Sequence, residues 1–177
     1  MLDRVPPPPH LPGMSKTATS DASPWLSLLL ILGATVAVSG LGGAVTTPEI
    51  GGWYRTLEKP SFNPPDWIFG PVWTLLFLMM AAAAWLVVRA RGGLAAARRE
   101  MVLYAVQLVL NLAWSVLFFG LRRPDLAFAE IIVLLAAIAA TGLAFRRVRP
   151  LAGWLFVPYF AWVSFAAILN GWIAFNN

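Results

Sequence analysis

Five apolar runs, each long enough to cross a bilayer, constrain this chain more than any other feature it has. They are Trp25 to Val45, Pro71 to Val88, Met101 to Leu121, Leu126 to Phe145 and Leu151 to Phe175. A helical span needs about 20 mostly apolar residues. Spans of this kind leave enough of the 177 residues for short loops and one tail. The runs read as helices, because lipid-facing barrel strands alternate apolar and polar positions, and Leu75 to Leu86 and Ile131 to Ala140 do not. In hydrocarbon, only helices and closed barrels satisfy the backbone. The expected fold is therefore an all-α integral membrane bundle of five transmembrane helices. Composition agrees: 59% of residues are hydrophobic and 12% charged, about half the charge of a soluble domain.

Residues 1–23 differ from the rest. Pro6 to Pro9 are four prolines in a row, and Pro12, Gly13, Ser15 and Thr17 follow. The segment reads as a disordered tail rather than a secretory signal, because prolines separate its charges from the first apolar run. The domain proper then covers 24–177.

All 13 Lys and Arg residues fall outside the five runs. Arg4, Lys16, Arg89, Arg91, Arg98, Arg99, Arg146, Arg147 and Arg149 lie on one side, and Arg55, Lys59, Arg122 and Arg123 on the other. The positive-inside rule puts the N-terminus in the cytoplasm. The net charge of +5 is thereby explained without nucleic acid, which is not expected as a partner; membrane lipid is. The absence of cysteine and the single histidine, His10 in the tail, rule out thiolate metal sites, thiol catalysis and imidazole-ligated haem within the bilayer. No metal site is expected.

Thr46 to Gly70 is the one long loop. Gly51 and Gly52 supply turns, whereas Lys59-Pro60 and Asn63-Pro64-Pro65 restrict the backbone. Trp53, Tyr54, Phe62, Trp67 and Phe69 set five aromatics among these rigid points. They suit either an interfacial aromatic belt or a lid over the open end of the bundle, with Trp53, Pro60, Pro64, Pro65 and Trp67 as its framework.

Within the runs, polar groups are few. Gln107, Asn111 and Trp114 share one helix face, continued by Phe118. Amides in hydrocarbon need partners, so this stripe faces the bundle, either joining helices or lining a ligand cavity. In the fifth run Trp154, Pro158, Trp162, Ala166 and Asn170 fall four apart with Tyr159 beside them, and Pro158 predicts a kink near mid-helix. Trp73, Phe77, Met80 and Ala84 make a similar stripe in the second run, which by itself is core as readily as pocket. Glu130 is the one carboxylate at depth; with no base at its level, it reads as a structural acid, protonated or hydrogen-bonded to a neighbouring helix. In the first run, Gly33, Ser39, Gly40, Gly42 and Gly43 predict close helix approach, to a helix of the same chain or of a second copy in a homodimer.

The segments WYRTLEKPSFNPPDWIFGPVWTLLF (Trp53 to Phe77), QLVLNLAWSVLFFG (Gln107 to Gly120) and VPYFAWVSFAAILN (Val157 to Asn170) closely resemble the three signature blocks of the translocator protein (TspO/MBR) family. Its bacterial members are called tryptophan-rich sensory proteins and its mitochondrial members peripheral benzodiazepine receptors. The resemblance covers Trp25 to Phe175. It implies a five-helix bundle whose long first loop lids a cavity for tetrapyrroles such as protoporphyrin IX, and in animals cholesterol and synthetic drugs.

By matching motif, the ligand site would comprise Tyr54, Trp73, Gln107, Asn111, Trp114, Trp162, Ala166 and Leu169; Phe77 and Tyr159, from the stripes of the second and fifth runs, complete the ten residues expected to hold ligand. No obligatory cofactor is implied; protoporphyrin IX or a haem-like tetrapyrrole would be a ligand. The resemblance implies a porphyrin-binding receptor or sensor regulating tetrapyrrole metabolism or a stress response. It also allows a transporter of porphyrin- or sterol-like ligands, or light- and oxygen-dependent porphyrin breakdown in which Trp73 and Trp162 hold the ring or scavenge radicals. The final residues 171–177 lack the tyrosine and the base of the cholesterol motif found in animal members, which argues against sterol recognition there. A bacterial cell membrane is the expected location, with inner and outer membrane both open.

Overall fold

The structure, a computed structural model, describes residues 24–177. The expected N-terminal tail and His10 lie outside the described residues. Among the described residues every regular element is helical: α1 (Pro24–Gly51), α2 (Trp53–Thr56), α3 (Phe69–Arg91), α4 (Arg98–Ser115), α5 (Pro124–Val148), α6 (Pro150–Trp154) and α7 (Val157–Asn176). One 3₁₀ turn, Asp66–Ile68, precedes α3, and one π turn, Val116–Gly120, closes α4. Among the described residues, five helical segments are long and apolar enough to span a bilayer.

Helix ends depart from the expected boundaries in informative ways. The first helix continues through Thr46 to Gly51 and tolerates Pro48 in its interior, so the long loop begins only at Gly52. Arg91 ends α3, and Gly92 takes a left-handed φ of 90° that lets its N–H close on the Val88 carbonyl. Pro124 starts α5 at a position where its missing N–H costs nothing.

The last run does not kink at mid-helix. It breaks at Leu155–Phe156, and Pro158 stands in the first turn of α7, where fixed φ suits helix initiation rather than distortion. Trp154 consequently leaves the stripe that Trp162, Ala166 and Asn170 continue. Its ring is exposed and receives the Arg146 guanidinium at 5.6 Å.

Helix α5 packs against both α4 and α7, while α1 lies across α3 and α4. At one end the core is filled by small residues: Ala81, Ala83, Ala84, Val87, Ala97 and Ala152 are fully or almost fully buried around Tyr104, Phe145 and Phe156. Close approach comes from glycines other than those expected. A Cβ on Gly171 would meet the Phe128 ring at 2.8 Å, and one on Gly153 the Arg146 Cα at 2.8 Å. In α1, Gly33, Gly40 and Gly43 have nothing within 4 Å of such a Cβ, and Gly42 meets only Ser115, at 3.5 Å. The first helix is the least enclosed of the five, with Ser27, Ile31 and Thr35 as its buried residues.

Candidate functional site: an aromatic cavity at the open end of the bundle

Opposite the alanine-filled end, the helices enclose a cavity of about 280 Å³. Its walls come from α1, α3, the α4–π-turn segment and α7, and Tyr54 of α2 closes one side. Three indoles from three helices, Trp73, Trp114 and Trp162, face this space. Each is locked by a ring neighbour: Trp73 lies 5.7 Å from Phe77, Trp114 stacks on Phe118 at 5.3 Å, and Trp162 meets Phe69 edge-on at 6.0 Å. Ala166 and Gly43 supply no bulk between them, which leaves the space open.

The π turn matters to this wall. In a regular helix neighbouring side chains diverge by about 100°, yet Phe118 and Phe119 both line the cavity. The wider turn, closed by the Leu121 N–H on the Val116 carbonyl at 2.7 Å, accompanies that placement. Such turns recur at functional sites.

Asn111 and Asn170 do both tasks that the sequence left open for its amides. Asn111 donates to the Tyr159 hydroxyl at 3.1 Å, and Asn170 accepts the Trp114 indole N–H at 3.0 Å while donating to the Pro124 carbonyl at 2.8 Å. These bonds join α4 to α7 and α7 to α5. Both asparagines also border the cavity.

Of the ten residues expected to hold ligand, Tyr54, Trp73, Phe77, Asn111, Trp114, Trp162, Ala166 and Leu169 line one cavity. Gln107 and Tyr159 do not. Tyr159 is fully buried behind the wall, edge-on to Trp73 at 6.2 Å, and acts on the cavity through Asn111. Gln107 sits a turn deeper along α4 than Asn111 and is fully buried; its amide atoms have no hydrogen-bond partner among the described residues. Glu130 also stays outside the lining, and both its carboxyl oxygens are shielded without a partner among the described residues, so of the two alternatives for this structural acid the hydrogen bond to a neighbouring helix is not formed.

The loop framework is likewise not cavity wall. Trp67 is 73% exposed, Pro65 is exposed, Pro60 is buried and Pro64 half-buried, while Trp53 packs edge-on to Phe118 at 5.7 Å from outside. Tyr54 is the loop residue that reaches in. Its hydroxyl donates to Asn63 at 2.7 Å, and Lys59 donates to its carbonyl at 2.7 Å. Burial, with Asp66 nearby, pushes the Tyr54 hydroxyl up to about 12, the Asn63 bond opposing. The far side of the loop is held by Asn177, which accepts from the Glu58 N–H at 2.9 Å and donates to its carbonyl at 3.2 Å.

Sequence reasoning missed the contribution of α1. Ser39, Gly42, Gly43, Thr46, Thr47 and Ile50 all border the cavity, so three of the five small residues of the expected helix-packing stripe, Ser39, Gly42 and Gly43, are wall. The signal was the same; only the three-dimensional arrangement shows that nothing stands within 4 Å of a Cβ on Gly43 while Gly42 meets Ser115.

The profile of the TspO/MBR family matches residues 28–175. The chain belongs to that family. The tryptophan-rich protein TspO of Chlorobaculum tepidum is 47% identical over 146 residues, covering 82% of this chain and 92% of that one. The human translocator protein is 40% identical over 154 residues, covering 84% and 89%, and the tryptophan-rich sensory protein of Cereibacter sphaeroides 38% over 146 residues, covering 82% and 88%. With the five apolar helices, membership makes this a multi-pass integral membrane protein.

Proposed function

We propose that this member of the TspO/MBR family is a membrane receptor or sensor that binds flat, apolar tetrapyrroles such as protoporphyrin IX within the aromatic cavity, coupling ligand level to tetrapyrrole metabolism or a stress response. The observation that carries the reading is the convergence of Trp73, Trp114 and Trp162 from three helices on one space. Indole faces suit a large flat π-system, at about 0.5–1.5 kcal/mol per aromatic contact beyond burial. Asn111 and Asn170 at the rim of the same space offer polar partners for propionate or pyrrole edges.

The cavity volume of about 280 Å³ lies just below the range of small-molecule sites, about 300–1,000 Å³, so a macrocycle requires the wall to yield. The loop from Gly52 to Pro65, which contributes Tyr54 to that wall, is the element that can do so: hydrogen bonds involving Asn63, Lys59 and Asn177 hold it, and it serves as a lid. The cluster of arginines at the far end of the bundle supports a cytoplasmic N-terminus, and the membrane we propose is that of a bacterial cell.

Titration of the purified protein with protoporphyrin IX, followed by tryptophan quenching, tests the reading. The double variant Trp73→Phe with Trp162→Phe is expected to weaken binding; unchanged affinity would refute it. A second reading, photo-oxidative porphyrin breakdown, is favoured by the direct access of Trp73 and Trp162 to the same space. It requires the porphyrin spectrum to decay faster under light and air than in a detergent-only control.

A further inference from the structure

The end of the bundle remote from the cavity carries seven described arginines, at the end of α3, the start of α4 and the end of α5. Several are occupied within the protein. Arg91 is ion-paired with Glu100, Arg89 lies 5.3 Å from the Trp85 ring, and Arg146 covers Trp154. Arg98, Arg99 and Arg147 are different: each is exposed, and no carboxylate oxygen lies within 4.0 Å of any of them among the described residues.

These three border a single open groove between α4 and α5. Antiparallel packing, fixed by the bond from Thr141 to the Leu103 carbonyl at 3.2 Å, brings the first turn of α4 beside the last turn of α5. Below the arginines the groove is wholly apolar, with Val102 and Leu103 on one wall and Ala140, Leu143 and Ala144 on the other. Ala140, Leu143, Ala144 and Arg147 fall at i, i+3, i+4 and i+7, so one face of α5 runs from hydrocarbon to charge. The small alanines keep the floor recessed.

We propose that this groove is a binding site for one anionic glycerophospholipid of the surrounding leaflet, with the phosphodiester held by Arg98, Arg99 and Arg147 and an acyl chain along Leu103, Ala140 and Ala144. The charge decides the occupant. Three cations without a carboxylate partner complement an anion, and an apolar floor beneath them fits an acyl chain rather than a free anion or an acidic peptide. Basic pockets between spans are known to take such headgroups, and guanidinium forks match phosphate oxygens. The proposal is independent of the tetrapyrrole site.

The test uses the full chain in neutral detergent with equimolar phosphatidylglycerol and phosphatidylcholine, counting retained lipids by native mass spectrometry. The wild type is expected to retain one phosphatidylglycerol in preference to phosphatidylcholine. Each arginine is expected to contribute about fivefold, and the triple variant R98Q/R99Q/R147Q to lose on the order of a hundredfold in preference. Because removal of three arginines can disturb insertion, Ala144→Trp provides a second probe that fills the groove with the charges intact; it is expected to abolish retention. Arg149→Gln, at the same end but off the groove, is expected to leave retention unchanged. Equal retention by Ala144→Trp and the wild type would overturn the proposal, as would displacement of the lipid by excess inorganic phosphate, which marks an anion site only.

Discussion

The two ends of this bundle are built from equally apolar helices and reach opposite results. At the arginine-rich end, Ala81, Ala83, Ala84, Val87 and Ala97 are buried and let the helices close on a filled core. At the other end, Trp73, Trp114, Trp162, Tyr54, Phe118 and Phe119 hold the same helices apart and leave a cavity. Small side chains allow backbones to approach, and dispersion over that contact stabilises the packing. Large rigid rings braced against one another cannot collapse into the space they surround. Hydrophobicity is common to both; side-chain shape separates a core from a receptor.

The largest effect expected from that contrast is at the closed end. Gly153→Val is expected to destabilise the bundle by about 3 kcal/mol, since the new side chain meets the backbone of α5, and thermal melting in detergent measures it. Ala166→Leu is the mirror test at the open end: added bulk enters free space, so the melting temperature should hold or rise while protoporphyrin IX binding falls. A melting loss equal to that of Gly153→Val would erase the distinction.

Next in size, Asn170→Leu leaves the Trp114 N–H without its acceptor and is expected to cost about 1–3 kcal/mol, with Trp114 emission shifting as its ring is freed. A smaller effect should follow pH. The Tyr54 hydroxyl is pushed up to about 12 by burial, so the folded state holds its proton after the unfolded chain has lost it at about 10. Its contribution is present in full below about pH 10 and is lost as pH rises toward 12. Loop opening, read by hydrogen exchange near residues 54–59, should increase in that window and not in Tyr54→Phe. The smallest effect belongs to Asn177→Ala, which removes an exposed pair of bonds to Glu58 and is expected to shift stability by under about 1 kcal/mol while raising exchange at Glu58.

Much of the site was legible because its residues are costly where they stand. Tryptophans and amides inside apolar runs have few bland explanations, and eight of ten expected residues do share one cavity. Gln107 was misplaced because helical spacing gives the face but not the depth at which a cavity ends. Tyr159 was misplaced because a residue beside a stripe can sit behind it. The break at Leu155–Phe156 escaped notice since Pro158 reads alike as a kink and as a helix start.

By itself, then, the order of apolar and charged residues determined the five helices, because unalternating apolar runs leave the helix as the one structure that satisfies a backbone in hydrocarbon, and it determined that the amides turn inward, because they are too costly to leave in lipid. Which glycines touch, how far down the hollow extends, and that α1 forms a wall rather than a seam were decided by tertiary structure. Those depend on the distance between helices, and that distance is set by the joint shape of side chains far apart in the chain, which no local pattern contains.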